Sequence, residues 1–162
     1  AVGALVSPPR SHLPDYIGLL LESEDLLARA FEQTGQTHAG TPDMAGECAL
    51  MAGWSREATD ALRPFVARYG ERREGEPERL ERALLVKRSP AAFDLLRDLQ
   101  DLFLLANESL ISAAILDQAA TALRDRDLRD AVATIREHND RQREWLFARC
   151  RQAAPQTLVV PM

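Results

Sequence analysis

Residues Phe93–Asp125 read FDLLRDLQDLFLLANESLISAAILDQAATALRD, and this stretch decides the fold. On a helical wheel its first turns are two-sided. Asp94, Arg97, Asp98 and Asp101 hold one face, and Leu96, Leu99 and Phe103 hold the other. Beyond Asp101 the polar face fades, and Leu104, Leu105, Ile115 and Ala119 fill its place. A helix that is apolar nearly all round must be surrounded by other helices. The sequence therefore predicts an all-α bundle, with this helix running from Pro90 to Asp125.

Working outward, three more amphipathic stretches supply the surrounding helices. Residues 1–13, with Pro8 and Pro9 and no periodicity, read as an extended arm. A first helix is expected from Pro14 to Gln36, with its stripe on Ile17, Leu20, Leu27 and Phe31. Gly40 and Pro42 then stop the chain, and a second helix is expected from Pro42 to Tyr69. Its stripe is Met44, Met51, Trp54, Ala58, Leu62 and Phe65, with Pro64 on the outer face. The charged connection from Gly70 to Ser89 holds a short amphipathic patch, which predicts an extra helix between Pro77 and Lys87. A fourth helix is expected from Asp127, as its cap, to Ala153, with an extended tail over residues 154–162. The bundle domain thus spans residues 14–153.

The totals narrow the function classes. At 46% hydrophobic, 28% charged and a net charge of −5, with both signs mixed along every segment, the chain offers no basic stripe for nucleic acid and no polybasic membrane patch. No apolar run approaches 18 residues, so no membrane span is expected. Cys48 and Cys150 are isolated, and residues 1–13 lack the pattern of a signal peptide. A cytoplasmic, reducing setting without a disulfide is the expectation, with Ala1 following a removed initiator Met. There is no GxSxG, GxxxxGK, GxGxxG or HExxH motif.

Every long helix nonetheless carries a hydrogen-bonding residue on its apolar stripe. These are Glu24, Glu47, Asn107 or Glu108, and the group His138, Asn139 and Gln142. A buried carboxylate without a partner costs several kcal/mol. Such a group is paired, protonated or bound to a metal. For Glu24 the choices are a metal or a buried pairing with an Arg or His138. Glu47 could instead favour the positive end of its helix, and Glu108 could extend the solvated acidic face. His138 could be a satisfied core histidine. His38, in the turn, is expected to be exposed, where with Asp43 and Glu47 it could hold a surface ion.

Two helical pairs joined by a long connection, with inward acids on several helices, resemble the ferritin-like superfamily of four-helix bundles. The resemblance covers roughly residues 14–150. It implies an iron or manganese site with Glu24, Glu47, Glu108 and His138 as candidate ligands, Gln142 being the other choice on the fourth helix. The superfamily's Glu-x-x-His motif is missing: Glu47 is followed by Leu50, and Glu137 by Asp140. What is implied is therefore an atypical or degenerate site, or a bundle that keeps the fold and serves as a non-catalytic accessory or protein-interaction subunit. The apolar second half of helix three predicts a homo-oligomer or a protein partner there.

Overall fold

A computed structural model of the chain describes residues 11–71 and 89–160. They form four helices: α1 (Leu13–Thr37), α2 (Met44–Tyr69), α3 (Ala92–Leu123) and α4 (Arg126–Leu158). The expected arm over residues 1–10 and the expected short helix between Pro77 and Lys87 lie outside the described residues. α1 packs along α2, and α3 along α4. α1 also meets α3, and α2 meets α4, leaving α1–α4 and α2–α3 as the diagonals of a square.

Two apolar clusters fix the directions. One gathers Phe31 of α1, Met44 of α2, Leu99 of α3 and Leu146 of α4. The other gathers Ile17, Leu62, Leu116 and Val132 from the opposite ends of the same helices. α1 and α4 therefore run one way, and α2 and α3 run the other. The connection between Tyr69 and Ala92 joins opposite ends of the bundle, which explains why it is long while the other two are tight turns.

Helix boundaries follow local chemistry. α1 carries proline in its first turn, where no N–H is required. The turn into α2 passes through Asp43 in the left-handed region, at φ 67°. α4 is capped by Asp125, whose carboxylate accepts from the Leu128 N–H at 3.0 Å, two residues earlier than the expected cap Asp127. Asp125 also accepts from Tyr69 and Arg68, tying the end of α2 to the α3–α4 turn. α4 continues through Pro155 to Leu158, where an extended tail was expected. Leu158, Val159 and Val160 are exposed.

The rotation of α3 corrects the sequence reading. Leu95, Leu99, Leu102, Leu105, Ala106, Ala113 and Leu116 face the core. Phe103, Leu110 and Ala114, expected inside, are half-buried, and Leu105, expected on the outer side, is buried. Leu104, Ile111 and Ile115 face outward at 51%, 55% and 42% exposure. With leucines on nearly every side, the core takes the face that also carries Ser109, Ser112 and Asp98, of which Asp98 meets His38 in the turn after α1. An 18-residue window of α3 has a mean hydropathy of 1.4, enough by length and composition to cross a membrane. This corrects the reading that no stretch approaches that length; 44% of the window is buried inside the bundle.

α1 and α2 approach closely at Gly35. A Cβ there would lie 2.9 Å from Cys48 Cβ. Gly35→Ala should destabilise the fold by about 1–3 kcal/mol through forced separation of the hairpin. A denaturant titration of the variant against the parent chain measures this, and an unchanged midpoint would refute the close packing.

Candidate functional site

Midway between the two apolar clusters lies a layer of buried polar groups, at least one from each helix. Glu24 of α1 is 1% exposed. Asn139 Nδ2 of α4 donates to Glu24 Oε1 at 2.7 Å and to Gln142 Oε1 at 3.1 Å. Gln142 Nε2 in turn donates to Ser55 Oγ at 2.9 Å and to the Met51 carbonyl at 3.1 Å, both on α2. Having accepted from Gln142, the Ser55 hydroxyl has its own proton available for Glu24, and its hydrogen bond lowers that carboxyl's pKa. The Ser109 hydroxyl of α3 also steadies the Glu24 charge but makes no aligned hydrogen bond. Asn139 Oδ1 has no partner either.

Burial dominates these hydrogen bonds. Removing Glu24 from water raises its carboxyl from 4.5 to about 7, against the lowering effects of Asn139, Ser55 and Ser109. A protonated Glu24 would carry an O–H donor, which the unpartnered acceptor Asn139 Oδ1 lacks.

A second buried polar pair closes one end of the bundle. His38, in the turn after α1, is 1% exposed, and its Nε2 lies 2.8 Å from Asp98 Oδ2 on α3. Its Nδ1 is buried without a partner. This corrects the expectation of an exposed His38 holding a surface ion with Asp43 and Glu47. The antiparallel packing of α1 on α3 brings Asp98 beneath the turn, and the ring folds inward to meet it.

The four candidate metal ligands do not converge. Among the described residues, no three His, Cys, Asp or Glu side chains gather where they could hold a metal ion. Glu24 alone sits in the layer. Glu47 is half-buried in the first turn of α2, eight residues before Ser55, or about 12 Å along the helix axis. Glu108 is half-buried beside Ser109. His138 neighbours Asn139 but is turned about 100° around α4, and its ring stacks on Trp54 at 5.1 Å and an interplanar angle of 12°. The sequence placed Glu24, Asn139 and Gln142 on inner stripes. It did not single out Ser55 and Ser109, whose only signal was a small hydroxyl on a buried face.

Both thiols are free. Burial pushes Cys48 up to about 12 and raises Cys150 as well, so neither is poised as a nucleophile. Compared with known proteins, the chain matches no family model, no curated protein and no solved structure.

Two outcomes follow from the buried pairs. Folded Glu24 holds its proton more tightly than unfolded Glu24, so unfolding between pH 4.5 and about 7 releases a proton. Stability should fall across that window by roughly 3 kcal/mol and level off above it. Glu24→Gln should flatten this dependence, as urea unfolding at pH 5 and pH 8 would reveal; an equal slope in the variant would reject the assignment. Asp98→Ala leaves the His38 ring buried without its partner and should cost about 2–3 kcal/mol by the same measurement. A loss under about 0.5 kcal/mol, the size of an ordinary surface substitution, would show that the pair does not hold the turn.

Proposed function

We propose that this chain is a ferritin-like bundle in which a hydrogen-bonded polar layer replaces the metal centre, and that it acts as a non-catalytic accessory or protein-interaction subunit. The observation that carries the reading is the composition of the layer: one carboxylate, two amides and two hydroxyls, with no histidine. Di-metal bundles place a Glu on each of two helices and a Glu-x-x-His pair on each of the other two. Here Asn139 and Gln142 have that i, i+3 spacing on α4, while Ser55 and Ser109 take inward positions on α2 and α3. The helix directions, with one long connection between α2 and α3, support the ferritin-like ancestry. Glu24, Glu47, Glu108 and His138 do not fit a resident iron or manganese pair, because only Glu24 reaches the layer.

In this reading the layer's work is structural. It holds four helices in one register, and function moves to the surface. The proposal includes a reducing, cytoplasmic setting, supported by the two free thiols.

Metal analysis after incubation with Fe(II) or Mn(II) tests the reading. The expected result is far less than one metal per chain, with a melting temperature unmoved by metal or chelator. Near-stoichiometric metal that disappears in Glu24→Ala would overturn it.

A further inference from the structure

We infer that the outer face of α3 is a docking surface for the α3 of a second copy, packed antiparallel about a two-fold axis. The inference rests on the proposed interaction role and names its partner.

The outer line of α3 steps by threes and fours through Arg97, Gln100, Leu104, Glu108, Ile111, Ile115, Gln118 and Ala122. That spacing is the seam of a helix pair, yet α1 and α4, the described helices that pack on α3, leave its large apolar side chains exposed. Leu104, Ile111 and Ile115 are 51%, 55% and 42% exposed, although the core already takes a full face of the same helix. Three large apolar side chains in one outward run form a patch that a lone chain rarely presents to water.

The order along the seam identifies the occupant, because it nearly matches its own reverse. With the two-fold axis passing between Ser109 and Leu110, Leu104 of one copy faces Ile115 of the other. Gln100 then falls within one residue of Gln118, polar against polar. Glu108 lies across from Ile111, laying its methylenes on the isoleucine and its carboxylate at the rim. The ends agree in charge. The antiparallel arrangement brings Asp94, in the first turn of one α3, to the end where the other copy carries Arg124 and Arg126; of the two acids there, Asp125 is half-buried against Arg68 and Asp127 also pairs with Arg68. Arg124 and Arg126 are both exposed, and neither enters an ion pair with another described residue. A parallel pair would set acid against acid at that end. Two-fold symmetry presents every one of these contacts twice.

Sedimentation velocity over a micromolar concentration series tests the association. The expected result is a species of twice the chain mass, which Leu104→Glu with Ile115→Glu reduces to the chain mass while far-ultraviolet circular dichroism stays helical. A crosslinking test uses milder substitutions and reports register directly. In a Cys150→Ser background, Leu104→Cys mixed with Ile115→Cys should form a disulfide dimer on mild oxidation. Neither variant should do so alone, because two copies of Leu104 lie about 16 Å apart along the axis in this register. A wild-type chain that stays monomeric throughout would overturn the inference, as would a dimer that survives both glutamates or a Leu104→Cys chain that crosslinks to itself. A monomer that binds no metal would defeat this surface while leaving the reading of the polar layer untouched.

Discussion

The fold turns on one buried carboxyl group. Glu24 sits where water cannot reach it, and an unpartnered polar group there would cost several kcal/mol. Its partners come from α4 directly and from α2 through Ser55, with the Ser109 hydroxyl of α3 close by. Rotating α1, α2 or α4 by one residue, about 100°, would remove a partner and leave a buried group unmatched. Apolar packing alone tolerates such rotations, because leucine on one face of α3 is much like leucine on the next. The polar layer therefore selects one arrangement among several of similar hydrophobic content.

The His38–Asp98 pair does the same work at the end of the bundle. The two apolar clusters lie on either side of the Glu24 layer, and the pair closes the outer end of the first cluster. Each polar contact joins elements far apart in sequence, Glu24 with Asn139 and His38 with Asp98. They specify tertiary pairing where the helical hairpins specify local pairing.

These long-range contacts mark where the sequence stops being legible. The existence of four helices, their approximate ends and the inner stripes of α1 and α2 follow from 3.6-residue periodicity. Glu24, Asn139 and Gln142 were visible as polar residues on those stripes. Axial level was not visible, because a helical wheel projects the axis away; Glu47 and Glu24 share an inward direction but sit about two turns apart. The rotation of α3 could not be read because its pattern is apolar on almost every side. His38 was misjudged since turn residues are ordinarily solvated, and nothing local announces that Asp98 will arrive beneath it.

The close approach of α1 and α2 at Gly35 gives the protein a built-in reporter. Cys48 packs its Cβ against that glycine and is wholly enclosed, with burial pushing its thiol up to about 12. A sulfhydryl reagent cannot reach it without parting the hairpin. Cys150 is only half-buried, packed at the edge of the same apolar cluster. The labelling rate of Cys48 in the folded chain, set against its rate in the unfolded chain, thus measures the free energy of local opening at the α1–α2 seam.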